Sequence, residues 1–257
     1  MTTRRVRNIA ARKKQDTIFG ATAAIETAPG LANIPPGNSY FFHNVTFRVQ
    51  SDNDNDHVRN SSRPFMVGVK DRVMLSSTYP FTHRRVCFWS HEQFQVGQPF
   101  RFDGDLPEDS PYQRRNLTQF TPSSNTALFE YLFKGTVGVD YSEDTRPITP
   151  LDSNRLRIVY DRTSQVNPMV SSTVDAAFGG KIVSRRFWHP LRQTVYYDED
   201  EDGAALTPTV PGYVSRSPKC PGNYYILDIF STGQDLEDQS GTVGTFKPET
   251  TTYWHEA

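Results

Sequence analysis

The sequence predicts an all-β fold, an eight-stranded jelly-roll β-sandwich with one short helix and a flexible basic N-terminal arm. Three observations carry this expectation. Short segments rich in β-branched and aromatic residues recur with apolar residues at alternate positions, the period of a half-buried strand. The chain has 18 Pro and 16 Gly with 12% aromatic residues, which suits many short strands joined by turns. Several connections are long, where a plain meander would need only short hairpin turns; long crossings between sheets are the mark of a Greek-key path. A length of 257 residues accommodates one all-β domain with a full core.

Residues 1–37 combine a basic cluster with a Thr/Ala/Gly/Pro-rich stretch ending at Pro35, Pro36 and Gly37. They show no sustained period and read as a flexible arm ahead of a folded domain over 38–257. Alternation begins at Tyr40, with Phe41, Val45, Phe47 and Val49 opposite Phe42, Asn44, Thr46 and Arg48. Strand-like segments follow at Phe65 to Leu75, Arg84 to Trp89, Leu156 to Tyr160, Ser184 to Trp188, Gln193 to Tyr197, Tyr224 to Phe230 and Thr250 to Trp254. Their expected core includes Phe42 or its alternates, Val67, Val69, Val86, Phe88, Ile158, Tyr160, Ile226 and Phe230. One stretch breaks the pattern: Ser123 to Lys134 has cap candidates, then Leu128, Tyr131 and Leu132 at helical spacing and Gly135 as a stop, which predicts a short helix. Glu92 to Pro122 and Asp198 to Gly222 are the long connections.

The net charge is −1, yet it is unevenly spread. Residues 1–14 hold Arg4, Arg5, Arg7, Arg12, Lys13 and Lys14 and no acid; removing these six from 28 Lys and Arg leaves 22 against 29 Asp and Glu. Such a cluster suits phosphate contact, nuclear import or a solvated tip. A second cluster, His83, Arg84, Arg85 and Trp89, and a third, Lys181, Arg185, Arg186, Trp188 and His189, mix cations with aromatic rings. Rings that stack on unpaired bases beside guanidinium groups that hold the backbone bind single strands without sequence preference. The same residues also fit two core strands whose arginines face solvent or pair with acids.

Other chemistry finds no footing. Asp198, Asp200, Asp202 and Gly203 open a calcium-loop spacing, but Thr209 stands where a bidentate Glu is needed; Asp52, Asp54 and Asp56 meet His57 and Arg63 at the corresponding positions. Both read as acidic loops that repel DNA or meet Arg-rich surfaces of neighbouring subunits. Cys87 and Cys220 lack a CxxC partner and read as buried thiols. No GxSxG, P-loop, GxGxxG or HExxH pattern occurs, and His43, His57, His83, His91, His189 and His255 are scattered, so no catalytic site, metal or cofactor is expected. No apolar run is long enough to span a bilayer, and a soluble, unsecreted chain is expected.

The order of several segments resembles the capsid proteins of genomoviruses, relatives of geminiviruses. These are ARKKQDT from Ala11, VGVKDRVML from Val67, Arg84 to Trp89, LFKGTVGVD from Leu132 and LRIVYDRTSQVNP from Leu156. RFWHPLRQTVYYDEDEDG from Arg186, GNYYILDIF from Gly222 and TYWHE from Thr252 complete the set. The resemblance implies a non-catalytic jelly-roll subunit and an icosahedral shell of about sixty copies. It also implies a packaged circular single-stranded DNA and a virion assembled in a host nucleus with the help of an import receptor. It favours DNA contact by Arg4, Arg5, Arg7, Arg12, Lys13, Lys14, Arg84, Arg85, Lys181, Arg185, Arg186 and Trp188. The arm is short for that family, which shifts phosphate contacts toward the folded domain. A non-structural single-stranded-DNA-binding or movement protein on the same fold is the alternative.

Overall fold

The computed structural model describes residues 11–23, 30–51, 55–102, 112–121, 125–168, 180–202, 205–208, 212–232 and 241–256, with the backbone alone at 101, 102, 112, 199–202 and 205–208. The strands are β1 (Arg12–Ala21), β2 (Ala32–Ile34), β3 (Asn38–Asn44), β4 (Phe65–Ser77), β5 (Phe81–Ser90), β6 (Phe100–Phe102) and β7 (Tyr112–Asn116). After helix α1 (Thr126–Leu132) come β8 (Arg157–Val166), β9 (Lys181–Thr194), β10 (Glu199–Asp202), β11 (Ala205–Pro208), β12 (Asn223–Ser231) and β13 (Gly244–Glu256).

Two sheets face each other. The larger runs β6-β7-β1-β13-β4-β9 with β2 also on β13, and the smaller runs β3-β12-β5-β8. Taking the eight principal strands β1, β3, β4, β5, β8, β9, β12 and β13 in chain order, one sheet holds first-eighth-third-sixth and the other second-seventh-fourth-fifth. That is the eight-stranded jelly roll, and the chain changes sheets at every step except from β5 to β8. The expected short helix is present as α1, burying Leu128, Phe129 and Leu132. The two long connections contain β6 and β7, and the β10–β11 hairpin.

The core has three parts. One packs Met66, Val69, Trp89, Tyr224, Ile226 and Trp254 at one end of the space between the sheets. A second packs Phe41, Val73, Leu75, Phe81, Phe230 and Phe246 at the other end. The third lies on the far side of the smaller sheet, where Tyr40, Phe42, Val86, Phe88 and Leu227 meet α1. This explains why β3, β5 and β12 are buried along nearly their whole length, since both of their faces are covered. Of the expected core, Phe42, Val69, Val86, Phe88, Ile226 and Phe230 are buried. Ile158 and Tyr160 are partly buried against it, and Val67 is half-buried.

The arm requires correction. Residues 12–21 form β1, paired antiparallel with β13 from Arg12↔Glu256 to Phe19↔Glu249, and Ala32–Ile34 pairs with β13 as well. The alternation in β1 is hidden because its inward positions include Lys14 and Asp16. Lys14 is buried with Nζ 3.1 Å from Glu256 Oε2, and Asp16 accepts from Arg48 Nη1 at 2.7 Å. Buried charges are admissible when paired. Arg4, Arg5 and Arg7 lie outside the described residues.

Candidate nucleic-acid interface

The second basic cluster is structural. Arg85 on β5 points between the sheets, where its Nε lies 2.7 Å from Asp228 Oδ1 and its Nη1 2.7 Å from Asp71 Oδ2. Arg115 of β7 reaches the same two carboxylates at 3.2 and 2.8 Å, and Thr250 donates to Asp71 at 2.8 Å. Two cations and two anions thus neutralise one another in a layer between the two inner apolar clusters. Burial opposes every charge there, but Arg85 and the His83 bond outweigh it at Asp228 and hold that carboxyl well below the usual carboxylate range. His83 is pushed down by burial despite Asp228. A neutral ring donates from Nε2 to Asp228 Oδ1 at 2.7 Å and accepts at Nδ1 from Arg185 Nη1 at 2.9 Å.

Arg84 points to the other side of the smaller sheet. It makes a forked pair with Asp161 at 2.8 and 2.7 Å and donates to the Thr149 carbonyl at 2.7 Å. Arg84 and Arg85 are therefore not available to phosphates, contrary to the sequence expectation. The acids that neutralise them, Asp71, Asp161 and Asp228, are distant in sequence, so the arginines read as surface charge. Lys14 is withdrawn for the same reason.

The third cluster divides by strand parity. Along β9 the burial alternates, with Arg185, Phe187 and His189 toward the smaller sheet and Ser184, Arg186 and Trp188 outward. Arg185 is half-buried against His83 and Ser164 and is not an open phosphate site. Lys181 is exposed at the start of β9, roughly 17 Å along the strand from Arg186 at 3.3 Å per residue.

What remains is the outer face of the larger sheet. Lys13 from β1, Tyr253 and His255 from β13, Val67 and Lys70 from β4, and Arg186 and Trp188 from β9 surround one shallow depression of about 520 Å³. Cross-strand register brings them together: Lys13 stands opposite His255, and Lys70 opposite both Thr251 and Trp188. Arg72 and Lys247 lie on the same face, where Arg72 pairs with Glu249. Trp188 is 52% exposed. Its ring lies over Gly68, where a Cβ would stand 2.6 Å from the indole, and 5.8 Å from Tyr253. A glycine here lets the indole lie flat against the neighbouring strand. Burial and the Lys13 charge hold His255 below its ordinary pKa, so it presents a neutral ring at pH 7. Arg12, at the rim, pairs with Asp56 at 2.9 Å.

Cations beside an exposed, fixed aromatic surface can hold phosphates while a base stacks. Of the sequence-named residues, Lys13, Arg186 and Trp188 come together here. Lys70, Tyr253 and His255 were missed, although the alternation of VGVKDRVML already sets Lys70 on the side opposite Val69 and Asp71. Among the described residues no group of three His, Cys, Asp or Glu side chains converges as for a metal. Nor, among the described residues, is any helix long and apolar enough to cross a membrane, and Cys87 and Cys220 are buried free thiols.

No family model matches the chain, and no curated protein matches it. Among solved structures, the VP1 pentamer of human polyomavirus 6 is 10% identical over 96% of this chain and 95% of that one, with a TM-score of 0.15. The unassembled VP1 pentamer of KI polyomavirus is 10% identical over 97% and 95%, with a TM-score of 0.13. Likenesses this slight carry no argument about what the chain does.

Proposed function

We propose that the chain is a coat protein of the genomovirus kind, a non-catalytic jelly-roll subunit that closes into a small icosahedral shell around circular single-stranded DNA. The observation that carries this reading is the outer face of the larger sheet, where Lys13, Lys70, Arg72, Arg186 and Lys247 stand with Glu249 as the only acid among the described strand residues facing that way. Trp188 and Tyr253 supply rings at its centre. The outer face of the smaller sheet is instead covered by α1, so one side of the sandwich is left for the strand. The motif order from Ala11 to Glu256 supports the family, and the eight-strand order supports a shell subunit. Virion residence and host nuclear entry, with Arg4, Arg5 and Arg7 as the import signal, belong to the same proposal.

Electron microscopy of the purified protein with and without circular single-stranded DNA tests it. Closed particles that shield the DNA from nuclease are expected. Monomers and dimers under every assembly condition, with tight binding of oligonucleotides, would instead identify a non-structural single-strand-binding or movement protein.

A further inference from the structure

At one end of the sandwich a groove of about 840 Å³ opens between the starts of β4 and β8 and the ends of β5 and β9. Arg155, Arg157, Arg192 and Lys219 line it together with His91, and among the described residues no Asp or Glu does. Arg155 is held by Asp152 at 3.2 Å, and Asp198 lies close enough to act on Cys220 at the rim. Arg157 lies over the Trp89 ring at 5.2 Å. Arg157, Arg192 and Lys219 are exposed, and none of the three has a carboxylate partner among the described residues.

Arg192 is the most informative of these. It is the one non-glycine residue with positive φ among the described residues, at 51°, a region that side chains with a Cβ avoid. It sits where the β4–β9 register shifts, Met66 facing Gln193 while Gly68 faces Pro190. A bulge of this kind turns a side chain out of the regular alternation. Here it directs a guanidinium to the groove, and a strained backbone kept for one exposed cation points to a ligand for that cation.

The groove also adjoins the outer face. Phe65 lines the groove, is 38% exposed and has its ring 6.2 Å from that of His255, which lines the outer-face depression. A chain of cations and rings therefore runs from Trp188 and Lys70 past His255 and Phe65 to Arg192 and Arg157. We infer that this groove is a second single-stranded nucleic-acid site, continuous with the first, so that one strand crosses the outer face and turns over the end of the sandwich. The inference rests on the reading of the outer face as a nucleic-acid surface. Exposed Phe65 and the partly exposed ring of Tyr196 at the groove favour stacked bases over a sulfated polysaccharide, which would use the cations alone.

Fluorescence anisotropy of the full chain at nanomolar concentration, with labelled oligothymidylates of about six and about twenty-four nucleotides, tests this across a salt series. The Arg157→Gln/Arg192→Gln protein is expected to lose about tenfold in affinity for the long oligomer, with its salt slope smaller by about 1.4 for two phosphates, and to keep the short oligomer on the outer face. Arg192→Gly is expected to weaken long-oligomer binding while its Tm holds or rises, because glycine relieves the backbone. Lys219→Gln, a change at an exposed side chain, replaces the double variant should that fail to fold. Unchanged long-oligomer binding in the groove variants, with loss in Lys70→Gln/Arg186→Gln, would overturn the groove and leave the outer face standing. If neither set changes binding, both readings fall. Loss of a heparin fragment without loss of DNA in the groove variants would also overturn the proposal.

Discussion

Arg85 donates two hydrogen bonds to Asp228, the residue directly opposite it on β12, with Nε 2.7 Å from Oδ1 and Nη2 3.0 Å from Oδ2. Both side chains are essentially inaccessible. Removing one member of a buried pair leaves its partner uncompensated, which costs about 3–5 kcal/mol. Arg85→Met is therefore expected to lower stability by about that amount in urea unfolding. The protein that remains folded should bind oligonucleotides with an unchanged salt slope, a result that separates a structural arginine from a DNA-binding one.

The outer face should behave in the opposite way. Lys70→Gln and Arg186→Gln are each expected to reduce the salt slope of single-strand binding by about 0.7. Trp188→Ala should weaken binding by about 1–3 kcal/mol through the lost stack. For the two charge variants, unfolding free energies should stay within about 0.5 kcal/mol of the parent, since surface substitutions away from caps and cores rarely do more. Paired titrations of affinity and stability on the same preparations check both halves.

Acid sensitivity follows from the histidines. Burial lowers the pKa of His189 to about 4, and burial likewise lowers His83 and His43. A histidine with a depressed folded pKa gains its proton more readily in the unfolded chain. Its contribution is complete above the unfolded value near 6.5 and is lost as pH falls toward the folded value. Stability is therefore expected to decline from about pH 6.5 downward, well before the carboxylates titrate, with His189 alone contributing on the order of 3 kcal/mol by pH 4. Denaturation midpoints measured from pH 7.5 to 4 should show this slope, and His189→Gln should flatten it.

Truncation should have a sharp boundary. Removing residues 1–10 leaves β1 whole, and Tm is expected to hold. Removing residues 1–14 also takes away Lys14, whose Nζ meets Glu256 and the Val58 carbonyl at 3.1 and 3.0 Å. That leaves Glu256 buried without its cation, and Tm should fall by several degrees. Thermal melts of the two truncated proteins decide the matter.

Much of the fold can be read from the sequence because the relevant signals are local. Phe65 to Leu75 and Tyr224 to Phe230 alternate or fill with apolar residues over their own length, and Ser123 to Lys134 shifts visibly to helical spacing. Adjacent strand residues point to opposite faces, so the sequence also implies that Arg185 and Arg186 part company, as they do along β9. What escapes is every feature whose cause lies far along the chain. The pair formed by Arg85 and Asp228 spans 143 positions, so neither residue reveals that it is neutralised. In β1 two of the inward positions are charged, and Ile18 alone is too little to mark a strand. The proposed nucleic-acid surface is only partly legible for the same reason: Lys13, Lys70, Arg186 and Tyr253 come from four strands and become one surface only once register is fixed.

The charged layer between the sheets has a consequence for how this lineage can vary. Asp71, Arg85, Arg115 and Asp228 come from four strands and cancel only as a set, so a change at any one of them strands a charge in the dry interior until a second change answers it. Substitutions there must arrive in concert or not at all. Lys70, next to Asp71 on β4 but on the other face, and Arg186, on the outward side of β9, carry no such obligation and can drift singly.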